Sequence, residues 1–265
     1  MGVTGCRIID SPRERLIAML TNNFVPCNGR FPTLISIIIM FFVGKSGGFS
    51  SVWSALLLTL FILLGVFMTF LVSSLLSKTL LKGVPSSFTL ELPPYRKPQF
   101  FKVIVRSIFD RRAVMVAAPA GLVIWLMSNI TVGDASALKI CTDFIDPFAR
   151  LIGLDGVILM GFILGFPANE IVIPIIIMAY TNTGKIMELG DLSALKTLFL
   201  ANGWTWVTAI NVMLFSLMHW PCSTTLLTVK KESKSLKWTL LAFLIPTISG
   251  MVICFLFTQL SKLFL

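Results

Sequence analysis

Glu170 is the first residue whose type and place could do chemistry. With Asn169 it interrupts an otherwise apolar block, 156–180. A carboxylate inside such a block is costly and ordinarily faces a cavity or a partner charge. The plainer alternative is a helix break that lifts Glu170 to the membrane interface, beside a basic side chain. His219 and Cys222 come next, in His219-Trp220-Pro221-Cys222. His219 is the only histidine of the chain, and Cys222 follows it by three positions, so both could point one way on a helix. Thiolate and imidazole are borderline-soft donors suited to late first-row ions. Against that stands packing: a buried cysteine is usually a small hydrophobe, and a histidine at a span end is often interfacial. Pro221 also frees a backbone carbonyl inside an apolar stretch. Cys27, in Pro26-Cys27-Asn28-Gly29-Arg30-Phe31-Pro32, is by itself a loop cysteine before an apolar run. Cys6 is uninformative, and Cys141 and Cys254 have no polar company.

Several chemistries are excluded. The cysteines number 5, an odd count, and none has Cys-x-x-Cys spacing, which argues against a disulfide framework or a structural zinc site. One histidine cannot make a His-Glu-x-x-His zinc protease site. Gly44-Lys45-Ser46-Gly47-Gly48 superficially resembles a phosphate loop but has Ile39 where the earlier glycine belongs. The N-terminus lacks the continuous apolar core of a signal peptide, and position 6 is Cys, not the Ser or Thr that myristoylation favours.

These residues sit in a chain built for lipid. Of its 265 residues, 56% are hydrophobic and 13% charged, with a mean hydropathy of +0.90. Soluble domains carry about 25% charged residues, so an ordinary soluble domain is excluded, as is a disordered chain. The net charge of +10 is read as topology and not as a nucleic-acid footprint. A span needs about 20 apolar residues. Runs at 34–43 (extended by Phe31 and Pro32), 52–76, 113–130, 156–180, 204–229 and 238–260 qualify. The fold expected is all-α: a polytopic membrane helical bundle with about six membrane-embedded segments, including a broken or re-entrant helix. The six tryptophans lie mostly near span ends, as an interfacial belt would.

Loop charge gives orientation. Residues 77–112 hold eight basic and two acidic side chains, and 230–237 hold four lysines against Glu232, so both are expected in the cytoplasm. Residues 131–150 hold two basic and three acidic side chains and are expected outside. Two ordinary crossings between 150 and 230 would return the chain to the wrong side. One block must therefore be re-entrant or split. The favoured block is 156–180, because Gly165-Phe166-Pro167-Ala168-Asn169-Glu170 interrupts it; Pro breaks the helix ladder, and transporters place sites at such breaks. The alternative is a kinked span there, with 188–201 dipping in. Between the second and third spans, Glu91-Leu92-Pro93-Pro94-Tyr95-Arg96-Lys97-Pro98 cannot be helical. Residues 100–112, with Phe101, Ile104, Val105 and Ile108 at helical spacing, read as an amphipathic helix on an anionic membrane surface.

Together these residues resemble the membrane portion of the FeoB-type ferrous iron transporters. Arg13-Glu14-Arg15-Leu16 followed by Pro26-Cys27-Asn28-Gly29-Arg30-Phe31-Pro32 is similar to that family's arginine-rich helix and Cys-x-x-Arg-[Leu/Phe]-Pro segment. Glu91-Leu92-Pro93-Pro94-Tyr95-Arg96 matches its most recognisable loop. Gly165-Phe166-Pro167-Ala168-Asn169-Glu170 resembles its second gate motif, and Pro221-Cys222-Ser223-Thr224-Thr225-Leu226 its Pro-Cys-x-x-Thr stretch. There are two departures: Asn169 stands where Lys is usual, and His219 where an aromatic residue is common.

The resemblance implies an organisation and a function. Residues 1–30 would be the cytoplasmic end of a first gate segment, 31–77 two transmembrane helices, 78–112 the basic cytoplasmic loop, and 113–265 the second gate region. The chain would be the C-terminal membrane-pore half of an Fe²⁺ transporter of the bacterial inner membrane. It would be no enzyme and hold no bound cofactor, with Fe²⁺ as transported substrate. Its partners would be the lipid bilayer, an N-terminal G-domain portion in cis or as a separate chain, and a second copy in a homo-oligomer; nucleic acid is not among them. Cys222, Cys27, Glu170 and Asn169 are the pore and gating candidates, and Cys222, Glu170 and His219 the metal-ligating ones. Two rivals stay open: a permease for another solute such as a nucleoside, and a non-transporting scaffold that needs a separately encoded N-terminal half.

Overall fold

A computed structural model of the chain describes residues 2–43, 50–83, 112–132, 135–181 and 192–264. The Pro-Pro-Tyr-Arg stretch, the surface helix expected over 100–112 up to residue 111, and Gly44-Lys45-Ser46-Gly47-Gly48 lie outside the described residues.

The chain opens with α1 (Gly2–Gly5) and a 3-10 turn at Cys6–Ile8, then α2 (Pro12–Thr21). Ser11 caps α2 by accepting from the Glu14 amide, and Pro12 occupies its first turn, where a missing N–H costs nothing. Next come α3 (Phe31–Phe42) and α4 (Ser50–Lys78). Arg13 locks α2 onto the end of α4: it donates to Ser77 Oγ at 2.6 Å and also to Leu81 O. Then follow α5 (Arg112–Asn129), a two-residue hairpin of β1 (Thr131–Val132) and β2 (Ala135–Ser136), and α6 (Ala137–Leu151). The last six α-helices are α7 (Gly156–Leu164), then, after a 3-10 turn at Asn169–Ile171, α8 (Val172–Thr181), α9 (Leu192–Ala201), α10 (Trp206–Met218), α11 (Ser223–Ser233) and α12 (Leu236–Phe264).

All six expected apolar segments are helical, so the fold is an all-α membrane bundle. Among the described residues, α4, the run Trp206–Ser233 and α12 are long and apolar enough to cross a membrane, and the bent pair α6–α7 makes up to a fourth. In the Trp206–Ser233 run 67% of the most apolar window is buried, against 22% in α4 and 28% in α12. The broken run is therefore central, and α4 and α12 present apolar side chains outward. Residues 211–218 of α10 are buried without exception, packed against α3, α4 and α12.

One detail differs from the sequence reading. Residues 137–151, expected within an outer loop, form α6, which turns through 107° into α7. Leu138, Thr142 and Ala149 are buried on one side of α6 while Phe144 is 86% exposed on the other. The block 156–180, the one favoured as re-entrant or split, folds back on itself. α7 and α8, at about 1.5 Å per residue, are each roughly half of the ~30 Å hydrocarbon core. They lie antiparallel. A Cβ on Gly161 would fall 2.6 Å from Ile176, and one on Gly165 would fall 2.5 Å from Val172. Glycine at these two positions is what lets the helices close into a hairpin.

The same parts recur in the next stretch. α6 and α9 both end at a left-handed glycine, Gly153 (φ 71°) and Gly203 (φ 84°). In each case the next residue bonds back five positions, Leu154 to Ala149 O and Trp204 to Phe199 O. That is a helix-ending motif which glycine serves best. Asp155 and Thr205 then cap α7 and α10. Each following helix ends at an aromatic-proline pair, Phe166-Pro167 and Trp220-Pro221. The first break reverses the chain; the second lets it continue.

Candidate functional site

The second break builds the site. α10 stops at Met218 because Pro221 has no N–H to give to Leu217 O. His219 is extended (ψ 178°), and the chain re-enters a helix at Cys222, the N-cap residue of α11. The Cys222 side chain makes no cap hydrogen bond, and its Sγ lies 3.2 Å from the Thr224 and Thr225 hydroxyls. It borders a cavity of about 840 Å³. Cys27 reaches the same cavity from the turn before α3, and Asn169 from the tip of the α7–α8 hairpin. The Asn169 amide nitrogen is 4.0 Å from Cys27 Sγ. Asn169 is buried, and its Oδ1 has no hydrogen-bond partner among the described residues. Asn23, Thr225 and Thr228 add polar wall.

Three predicted residues, Cys27, Asn169 and Cys222, thus converge from three distant parts of the sequence. Two others do not join them on the cavity wall. Glu170 is exposed and lies over the Cys27–Arg30 turn, where a Cβ on Gly29 would come within 3.2 Å of its carboxylate. Among the described residues no basic side chain is within ion-pair reach of it. His219 is 1% exposed and sits behind the cavity among aromatic rings. Its centroid is 5.0 Å from Phe162, 5.6 Å from Trp220 and 5.8 Å from Phe215. Its Nδ1 faces two acceptors, Ser216 O at 2.9 Å and Phe215 O at 3.1 Å, so that nitrogen carries the proton. Nε2 is left without a partner among the described residues. Among those residues no three His, Cys, Asp or Glu side chains gather as a metal-binding group. The donors on the cavity are two thiols and threonine hydroxyls, with the Asn169 amide oxygen covered beside them, and the sulfurs suit late first-row divalent ions better than Mg²⁺ or Ca²⁺. Cys254, expected to be inert, is fully buried and donates to Asn211 O.

Arg30 is the functional candidate that sequence reasoning passed over. It is 1% exposed. Its Nη1 donates to Asn23 O and Leu217 O, both at 2.8 Å, and its Nη2 to Asn23 Oδ1 at 3.1 Å and to His219 O and Trp220 O at 3.3 Å. Asn23 Nδ2 also donates to His219 O at 2.5 Å. A signal was present: Arg30 is the residue preceding α3, where the helix dipole disfavours a cation. A charge so placed needs the carboxyl end of some other helix, and α10 supplies it.

Two family models match the chain. One described as "Ferrous iron transport protein B C terminus" matches residues 58–111, and one described as "Nucleoside recognition" matches 111–236. A curated relative from Staphylococcus aureus (strain MSSA476), named Fe(2+) transporter FeoB, is 30% identical over 99% of this chain and 39% of its own length. One of the same name from Leptospira interrogans (strain 56601) is 25% identical over 99% of this chain and 41% of its own. Another from Synechocystis is 28% identical over 97% of this chain and 41% of its own. The chain therefore spans about two-fifths of the length of the curated relatives it matches. No solved structure matches it.

Proposed function

We propose that this chain, which belongs to the FeoB family and corresponds to its C-terminal membrane part, forms the route by which Fe²⁺ crosses the membrane into the cytoplasm. The observation that carries this reading is the convergence of Cys27, Asn169 and Cys222 on one cavity beside two interrupted helices. Interrupted helices at membrane depth are tolerated where they line a cavity, and substrate sites lie there. The two thiols exchange for part of the ion's water shell, and the Thr225 and Thr228 hydroxyls hold the rest. The lysine-rich 230–237 segment, which follows the cavity-lining Thr228, marks the cytoplasmic side. Glu170, beside the Cys27 turn, adds negative charge at the approach. The chain performs no catalysis. Nucleotide control comes from an N-terminal G-domain portion, in cis or as a separate chain.

The test is anaerobic radio-iron uptake into proteoliposomes holding the purified chain, its Cys222→Ser variant and its Glu170→Ala variant. Uptake depressed in both folded variants supports the site; normal uptake in both removes it. No uptake by the folded parent points to the G-domain portion as a requirement. A nucleoside permease is the second reading, favoured by the description of the model matched over 111–236; competition of uptake by nucleosides would support it.

A further inference from the structure

We infer that Arg30 is the positioning residue of this site: its guanidinium stands in for the donors lost at Pro221 and so fixes the Cys222 thiol on the cavity wall. In an unbroken helix the amide of residue 221 would bond Leu217 O, and those of 223 and 224 would bond His219 O and Trp220 O. Pro221 has no amide hydrogen, and the Ser223 amide is spent on Phe166 O at 3.1 Å. Arg30 reaches these same three carbonyls from outside the helix, through Nη1 and Nη2. A planar fork with donors on two nitrogens can span carbonyls on successive residues; an ammonium, whose donors radiate from one point, cannot. Leu217 O and Trp220 O are buried, so without Arg30 they would have to move to find partners, while His219 O keeps the Asn23 amide. Trp220 O is two residues from Cys222, so the thiol would move with them.

The arrangement also decides what the broken helix offers to cargo. A helix end with free carbonyls is a natural cation seat. Here that seat is filled by a tethered cation, which leaves side-chain donors as the contacts of a passing ion. That bearing on transport rests on the conducting role proposed above; the hold of Arg30 on the thiol does not.

The experiment is spin-label EPR on the full 265-residue chain in nanodiscs. Cys6→Ser, Cys27→Ser and Cys141→Ser leave Cys222 as the labelled thiol, with Cys254 buried. The label is expected to be immobilised with Arg30 in place. Arg30→Gln should raise its mobile fraction several-fold, and Arg30→Lys should fall between. A label on Cys141 in α6, in a parallel series, should stay unchanged. An unchanged Cys222 spectrum in folded Arg30→Gln overturns the inference, as does equal loosening at Cys141, which marks a merely structural role. Should Arg30→Gln not fold, Asn23→Ala decides: it removes one strut to the guanidinium and one to His219 O. A mobile component at Cys222 then supports the inference, and its absence overturns it. Iron uptake by the unlabelled proteins separates the two ideas. A mobilised label together with normal uptake in Cys222→Ser and Glu170→Ala upholds the positioning and sinks the conducting site. An immobile label with uptake depressed in both variants does the reverse.

Discussion

Gly65, at the middle of α4, gives a sharp test of the packing around the site. A Cβ there would lie 2.5 Å from Phe24 O and 3.3 Å from Leu217 Cδ1. The obstacle at 2.5 Å is backbone, and its neighbour Asn23 is tied to Arg30 through both its carbonyl and its side chain. Ordinary contact requires a retreat of about 1 Å. That would stretch the 2.8 Å bond from Arg30 to Asn23 O beyond hydrogen-bond range. Overpacking costs about 1–3 kcal/mol, and the pinned carbonyl puts this case near 3. Alanine restores about 1 kcal/mol of helix propensity. The balance for Gly65→Ala is a loss of about 2 kcal/mol, or roughly 4–8 °C in apparent melting temperature. The assay is the fraction of monodisperse protein surviving a heating series in detergent, with radio-iron uptake alongside. A melting temperature unchanged or raised would refute the reasoning, since propensity alone predicts that outcome.

Other outcomes follow from single features. Gly153→Ala should lose more stability than Gly203→Ala. Both force a side chain into the left-handed region at a cost of about 1–2 kcal/mol, but only at Gly153 would the Cβ meet Asn211 Nδ2 and Thr258 Oγ1 at 2.2 Å; equal losses on a shared thermal assay would contradict this. Tyr180→Phe should cost about 1–3 kcal/mol, because Asp155 and Trp204 Nε1 both spend a hydrogen bond on its hydroxyl; chemical unfolding measures it. Arg7→Ala should lower thermal stability only slightly, since Arg7 itself is exposed, although its fork grips both carboxylate oxygens of the largely covered Glu232. A clear loss, persisting in high salt, would show that the pair does more than the geometry suggests.

The apolar runs foretold the helices because burial in lipid leaves the backbone no alternative to internal hydrogen bonds. The interruption at 165–170 was legible for the same reason: Pro167 cannot continue the ladder. Whether a break reverses the chain or kinks it was not legible from proline, since Pro167 and Pro221 do different things. The difference lies in Gly161 and Gly165, which admit a helix alongside. α6 was missed because its charged residues drew attention to topology, although Leu138, Cys141, Thr142, Ile145, Phe148 and Ala149 carry a helical period. For the site, the FeoB-type motifs and not residue type alone pointed to Cys27, Asn169 and Cys222, which the fold gathers on one cavity. His219 was singled out for its imidazole, yet its backbone carbonyl is what the site uses. Arg30 could be read as a cation at the start of α3, but its partners could not, since most are backbone carbonyls that leave no mark in a sequence.

The two interruptions are yoked. The Ser223 amide, just past Pro221, bonds Phe166 O, just before Pro167, and Phe243 of α12 is wedged between the two preceding aromatics, 6.4 Å from Phe166 and 5.9 Å from Trp220. A shift of the hairpin tip by about 1 Å would carry that 3.1 Å bond out of range. The hairpin cannot swing while the broken span stands still. Either both travel together as one lever with Phe243 as its fulcrum, or the linkage between them must first be cut.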